Sequence, residues 1–589
     1  MTGSEDVDIR FEIERLPFDA EGIDRGSREI VRFRDWPVVY TLNDEQRVYV
    51  GESMSAVKRM RQHLENEQKR SLTTMRLVLS EEFNKSVCLD LESRLIELVH
   101  GDGQFVVLNR NTGIVDVGYY MRDSYQRAFD AVFDELRQHG LLQRSVRQIE
   151  NTELFKYSPF KSLNHDQHVA VEQILRGLVS DLEQDRRGVS VVRGEPGTGK
   201  TIVAMYLLKM LCDIGSHPAD DEVDPDEMFS EFFQDETREL LEGLELAFVI
   251  PGESLRGTVQ KVVSRIPGMR RVFVGTAFQV AEQDRQFDLV VVDEAHRLTQ
   301  YGAQAHGTLT KKYGEITQRL FGETDPTKNQ LDWLRATSRM VLLMLDQEQS
   351  VRPMDIPRAE LDVVVREAEE KDRLHPLLTQ MRAVGGNDYI RYARQLMSQT
   401  PPDRQLGFDE YEFTMYDDMA QMVQRIRDLE SQHGLCRMVA GFAWDWTSRA
   451  SLKEKRTAHD FVIDGVELTW NGTTSDWLGS RTSADEVGSI HTLQGYDLNY
   501  AGVIIGPDLR FDPQTQRLYV DRDHYRDKKG KASNRKRGQE TTDDDLLRYI
   551  TNIYSVLLTR GMRGTFVYVC DPELRRHLSR FIPAASPLR

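Results

Sequence analysis

The chain has 589 residues, of which 39% are hydrophobic and 29% charged, and a formal net charge of −18. That balance excludes a disordered or fibrous chain and indicates several folded domains. No apolar run reaches the ~20 residues of a membrane span, and the acidic first residues lack the apolar core of a secretory signal, so a cytoplasmic, membrane-free protein is expected.

In chain order, residues 1–30 read as an acidic arm or first strand. DWPVVYTL and RVYVGES then read as two strands joined by NDEQ, a hairpin. SAVKRMRQHL and CLDLESRLIELV follow as helices, from the spacing of their apolar residues. Tyr40 and Tyr49 thus fall on paired strands, Arg59 and His63 on one helix, Glu92 on a second, and Asn109 in VVLNRN near a strand end. Phosphodiester cleavage needs a base for water, a cation to clamp the crowded phosphate and a metal for the leaving oxygen. Tyrosine, arginine and glutamate are the right types for that work, although singly each is an ordinary strand aromatic or helix charge. The triplets VVY and YVG, with Arg59, Glu92 and Asn109 downstream, resemble the GIY-YIG nucleases over about residues 35–115. Val38 departs from that family's glycine. The resemblance implies a small α+β domain in which Tyr40 acts as or assists the base and Tyr49 orients water or phosphate. In it Arg59 is the clamp, His63 and Asn109 complete the set, and Glu92 holds one Mg2+ or Mn2+.

From 160 to 350, GVSVVRG, LELAFVIP, RRVFVG, DLVVVDEA and RMVLLML are buried-strand runs with helices between them, the alternation of a parallel sheet. Residues 217–239 interrupt it with an acidic stretch expected on the surface. GEPGTGKT at 194–201 follows the first strand and opens a helix. In that context Gly194, Gly197 and Gly199 let backbone N–H groups face a phosphate, Lys200 reaches the β- and γ-phosphates, and the Thr201 hydroxyl binds Mg2+. DEAH at 293–296 ends an apolar strand, which suits Asp293 to Mg2+ and Glu294 to orienting or deprotonating the attacking water. Together they indicate an ATP-hydrolysing enzyme.

From 360 onward, CRMVAGFAW, VGSIHTL, YAGVIIG and TFVYVCD repeat the layout. Residues 521–545 are rich in lysine and arginine and read as a mobile loop that either grips phosphates or is merely solvated. GFAWDW and TWNGTTSDW concentrate aromatics that serve either as base-stacking platforms or as core. Cys88, Cys212, Cys436 and Cys570 form no CxxC, so neither a zinc site nor a disulfide framework is expected.

Seven segments in order then resemble superfamily I helicases, and most closely the Schlafen-like DNA/RNA helicase family, over roughly residues 155–575. They are LNHDQ, GEPGTGKT, DEAHRL, LMLDQEQ, LLTQMR, SIHTLQGYDLNYAGVIIGPDL and YSVLLTRGMRG. DEAH is commoner in superfamily II. The resemblance implies two RecA-like parallel-sheet domains, with Gln167 reading adenine. It also implies that Asp346, Gln347 and Gln349 couple phosphate state to the nucleic-acid track, and that Arg382 and Arg560 reach the γ-phosphate from the second domain. The expected organisation is a nuclease-like domain at 1–150, a first RecA-like domain at 151–355 and a second at 356–589. The expected function is an ATP- and Mg2+-dependent motor on nucleic acid, DNA rather than RNA, with endonuclease activity, in bacterial anti-phage defence. A defence-system protein or a second copy of the chain is the candidate partner. Two alternatives stand beside it: an ATPase switch whose N-terminal domain only binds nucleic acid, and a DNA-repair helicase-nuclease.

Overall fold

The computed structural model describes residues 9–110, 118–218, 228–302, 307–381, 383–408, 410–448, 459–473, 477–493 and 496–585. The chain divides into two compact units, one of residues 1–179, 201–243 and 261–271, the other of 180–200, 244–260 and 272–589.

The first unit is built on β1 (Glu12–Pro17), β2 (Val38–Asn43), β3 (Arg47–Ser53), β4 (Thr74–Leu79) and β5 (Val106–Val107), in the order β1-β4-β2-β3-β5. Every pairing is antiparallel except β3 with β5. The β2–β3 hairpin closes because the Asp44 carboxylate accepts the backbone N–H groups of Gln46 and Arg47, an Asx turn. Alternation then sorts the side chains. Val39, Val48, Val50 and Val78 pack on the helix Lys85–Asp102, whereas Tyr40, Leu42, Met75 and Leu77 join a second cluster with Ala56 and Met60 of the helix Ala56–Glu65. The helix Lys85–Asp102 is capped by the Asn84 side chain and stops at Gly103, whose φ of +72° suits glycine. The acidic stretch expected on the surface is only partly so. Residues 219–227 lie outside the described residues, while Phe229 and Phe232 are buried, with the Phe229 ring stacked on His168.

The second unit holds two parallel sheets. One contains β6 (Gly188–Gly194), β7 (Leu246–Val249), β8 (Phe273–Gly275), β9 (Phe287–Val292), β10 (Ser338–Leu345) and β11 (Leu374–Leu377), ordered β11-β6-β10-β9-β7-β8. Its near-continuous apolar strands belong to a sheet covered on both faces. The other contains β12 (Glu412–Met415), β13 (Cys436–Ala440), β16 (Val487–Ser489), β17 (Leu498–Ile505) and β20 (Gly561–Val569), ordered β12-β20-β17-β13-β16. Two small hairpins are added: β14 (Phe461–Ile463) with β15 (Val466–Leu468), and β18 (Leu509–Asp512) with β19 (Arg517–Val520). This is the mixed α/β, RecA-like architecture expected from the sequence. We call the part around the β6-containing sheet the first lobe and that around the β20-containing sheet the second. Because β6, β10 and β9 are neighbours, the loops that leave their C-terminal ends lie side by side. No described helix is long and apolar enough to cross a membrane.

Candidate active sites

The loop after β6 has the backbone a phosphate cradle needs. Gly197 and Gly199 take φ of +86° and +81°, which other residues adopt only with strain. A Cβ at Gly194 would meet the Thr198 hydroxyl at 2.3 Å. The Lys200 ammonium donates to the backbone carbonyls of Gly194 (2.7 Å) and Glu195 (2.9 Å), so the loop folds around its own lysine. Thr201 is half-buried in the first turn of the helix Lys200–Gly215.

At the end of β9, Asp293 is buried and accepts the N–H of Glu294 at 2.9 Å. Glu294 itself is left-handed, with φ +49°, a strained conformation for a non-glycine residue that aims its carboxylate inward. Burial alone would raise the Glu294 pKa, but His296, Arg560 and Lys200 outweigh it and hold the carboxylate ionised, below its ordinary value. Its Oε2 lies 3.0 Å from His296 Nε2, without the alignment of a hydrogen bond, and accepts none. A buried, ionised oxygen without a donor fits a water, and that is the fit expected if Mg2+ and ATP occupy this cleft.

Behind β10, Asp346 accepts from the Gln349 amide at 2.8 Å, and the Gln349 carbonyl oxygen accepts from Arg560 at 3.5 Å. Arg560 comes from the second lobe, just before β20, is 1% exposed, and also donates to the Tyr496 carbonyl. Gln347 instead donates to Asp362 at 2.6 Å. Arg382 lies outside the described residues. Gln167 is buried in the first turn of the helix His165–Glu183. Its side chain and that of Asn164 accept each other's backbone N–H, a reciprocal cap.

The first unit gathers the N-terminal candidates around one point. The Tyr40 hydroxyl and His63 Nε2 are 2.8 Å apart, and the Tyr49 ring lies 5.0 Å from the His63 ring and 6.3 Å from that of Tyr40. Gly51, opposite Tyr40 in the hairpin, leaves room for the phenol: a Cβ there would sit 2.4 Å from its oxygen. Burial keeps the Tyr40 hydroxyl protonated well above its ordinary range, helped by Tyr49 and Glu92, while Arg59 pulls the other way. Arg59 and Glu92 are therefore within electrostatic reach of the phenol. Burial, with the Lys69 and Arg59 cations, pushes His63 down to about 2, so the ring is neutral. Asn109 is a clamp on β3, since its amide accepts the Val50 N–H at 3.0 Å and donates to the Val50 carbonyl at 2.7 Å. Glu92 is buried, and among the described residues no three His, Cys, Asp or Glu side chains converge. A divalent cation at Glu92 would keep most of its ligands as water, which Mg2+ tolerates.

In the second lobe one reading changes and one open alternative is decided. The basic stretch 521–545 is docked rather than mobile. Asn534 donates to the Tyr301 carbonyl (2.9 Å), and Arg537 donates to Gln300 (2.6 Å) and Glu360 (2.8 Å), all on the first lobe. Arg537 is thus neutralised against the protein, while Arg522, Arg526, Lys528, Lys529, Arg535 and Lys536 stay exposed. Of the aromatic segments, Trp470 and Trp477 are core, at 0% and 1% exposure, and the Trp477 indole donates to Glu486. Phe442, Trp444 and Trp446 around Trp470 are half-buried. Sequence reading missed Arg394, which reaches Glu195 in the phosphate loop (2.9 Å), and His491, which links Arg352 to Asp527 at 2.8 Å on each side. Neither sits in a pattern that marks it; the only available signal for His491 was its place beside a strand end in SIHTLQG.

Residues 187–571 match the Schlafen group 3, DNA/RNA helicase domain. The chain is 25% identical over 476 residues to the uncharacterized protein YPL245W of Saccharomyces cerevisiae, covering 74% of this chain and 95% of the yeast protein. It is 27% identical over 191 residues to the ATP-dependent DNA helicase RecG of Treponema pallidum, covering 32% of this chain and 25% of that helicase.

Proposed function

The chain belongs to the Schlafen group 3 DNA/RNA helicase family, and from that premise we propose that it is an ATP-driven motor on DNA which delivers a strand to an N-terminal endonuclease site. The nucleic-acid helicase part is the family's. The residue roles, the DNA track and the cutting are our reading, as is the division into domains at 1–150, 151–355 and 356–589.

One observation carries the motor. Arg560 of the second lobe is buried against Gln349 of the first, within electrostatic reach of Glu294. An arginine supplied across a cleft stabilises charge on a transferring phosphoryl and makes closure depend on nucleotide. Lys200 would leave its two carbonyls for phosphate, Glu294 would orient water, and Asp293 with Thr201 would hold Mg2+. Bound Mg2+ supplies charge neutralisation at the phosphates.

For the nuclease, the carrying observation is the Tyr40–His63 contact beside Arg59 and Glu92. A neutral His63 is the acceptor that the Tyr40 proton needs if that phenol is to draw a proton from water. Arg59 would clamp the phosphate, Tyr49 would orient it, and Glu92 would hold Mg2+ or Mn2+. Asn109 would act by keeping β3, and so Tyr49, in place. A cutter on a motor suits attack on foreign DNA, and anti-phage defence in bacteria is the setting we favour.

The test uses the full chain. Lys200→Ala should abolish ATPase activity. Arg59→Ala and Glu92→Gln should each abolish Mg2+- or Mn2+-dependent cleavage and leave the ATPase rate unchanged. Cleavage that survives in both would sink the nuclease reading. It would leave the second reading, a binding-only N-terminal domain, which the strongly protonated Tyr40 favours.

A further inference from the structure

We propose that Arg394 is a further cross-cleft arginine, one that exchanges Glu195 and Asp346 for the γ-phosphate when a nucleoside triphosphate binds. The proposal rests on the phosphate-loop reading above and deepens it.

Arg394 lies in the last turn of the helix Gly386–Leu396. That helix is anchored in the second lobe by buried Tyr389, Ile390, Ala393 and Leu396, so the position of its backbone reports the position of that lobe. The guanidinium leaves its own lobe. Nη1 donates to the Glu195 carboxylate at 2.9 Å, and Nη2 stands 3.5 Å from Asp346 Oδ2. Glu195 is the first residue after Gly194 in the phosphate loop, and its carbonyl holds the Lys200 ammonium. Asp346 stands at the end of β10 and bonds to Gln349, which touches Arg560. Arg394 therefore joins the phosphate loop and the segment behind β10, the two places between which a γ-phosphate would enter.

The strength of the contact shows what it is for. Glu195 is 49% exposed and Arg394 is 24% exposed. Pairs this open contribute little to stability, so the contact is a poor strut. A phosphoryl group offers several charged oxygens in a geometry that a guanidinium fork matches. An incoming triphosphate thus draws Lys200 from its carbonyls and Arg394 from Glu195. Because Arg394 rides on the second lobe, that exchange ties lobe closure to the presence of the third phosphate. Arg560 makes a different contact, on Tyr496 and Gln349, and does not touch the phosphate loop's Glu195.

The experiment measures the affinity of the full chain for ADP and for a non-hydrolysable ATP analogue by titration calorimetry. Arg394→Ala should keep ADP affinity within about twofold and lose about tenfold in affinity for the analogue, equivalent to about 1.4 kcal/mol. Arg394→Lys, which keeps a cation and the helix, should recover part of that loss. Glu195→Gln, which removes the carboxylate partner, should leave the analogue's affinity unchanged or tighten it. The proposal is overturned if Arg394→Ala weakens ADP and analogue equally, if it changes neither, or if Glu195→Gln reproduces the selective loss. Lys200→Ala separates the two levels: should it bind both nucleotides like the unmodified protein, the phosphate-loop reading fails, whatever Arg394 does.

Discussion

At Asp508 a carboxylate is buried where charge is expensive. Burial raises it to about 6, although the Tyr554 hydroxyl donates to it at 2.6 Å. A folded-state pKa above the unfolded one means that its contribution to stability is complete below about pH 4 and is lost as pH rises through about 6. Asp508→Asn removes the charge and keeps the acceptor. The stability difference between variant and unmodified protein, from urea midpoints, should therefore grow between pH 4 and 7 by about 2–3 kcal/mol. A flat difference would mean that Asp508 is not buried as described. Arg560 is the residue whose loss should be chemical rather than structural. Arg560→Ala should lower the ATPase turnover by about 10³-fold, the scale of an arginine finger, with ADP affinity retained. A variant that hydrolyses ATP normally would remove Arg560 from the reaction. The phosphate loop was legible because its chemistry is local: consecutive residues make the cradle, and their spacing is the signal. Arg394 was not, since one arginine on an amphipathic helix carries no mark of what it faces.

The helix Lys200–Gly215 runs from the phosphate-loop lysine to a buried ion pair. Lys209 is 3% exposed, donates to Asp213 at 2.5 Å, lies 3.4 Å from the Asn109 carbonyl and sits over the Phe160 ring. Removing one partner strands the other. Lys209→Met should cost about 2 kcal/mol in urea unfolding, less than a fully buried pair because Asp213 is 14% exposed. The double variant with Asp213→Asn should recover part of the loss, and strict additivity would deny the coupling. The 521–545 segment is the other element whose behaviour composition misstates. Its lysines and arginines predict solvation, yet Asn534 and Arg537 are held by Tyr301, Gln300 and Glu360, more than 170 positions away in sequence. Asn534→Ala with Arg537→Ala should raise amide hydrogen exchange across residues 532–540. Unchanged exchange would show that the docking contributes nothing to local stability.

Across the molecule, buried histidines make the fold sensitive to acid. Burial pushes His63 to about 2, His100 to about 3 and His375 to about 4. Groups depressed in this way support the fold above their unfolded pKa, and that support is lost as pH falls from about 6.5 toward the folded values. Unfolding at pH 5 should therefore take up protons at all three. Calorimetry in buffers of different ionisation enthalpy reads that uptake, and its absence would contradict the buried, neutral rings. The sequence by itself brought out the β2–β3 hairpin, the phosphate loop, the DEAH strand end and the main strands of both lobes, because apolar periodicity and glycine spacing act between neighbours along the chain. It left β4, β11 and β12 unmarked, and the helicase architecture came from the family resemblance. It also brought out Tyr40, Arg59, His63, Glu92 and Asn109 as candidates. Only the tertiary structure decided that Tyr40 meets His63, that Trp470 and Trp477 are core, that the basic segment is docked, and that Arg394 crosses to Glu195. Burial and charge pairing depend on which distant segments meet, and packing alone decides that.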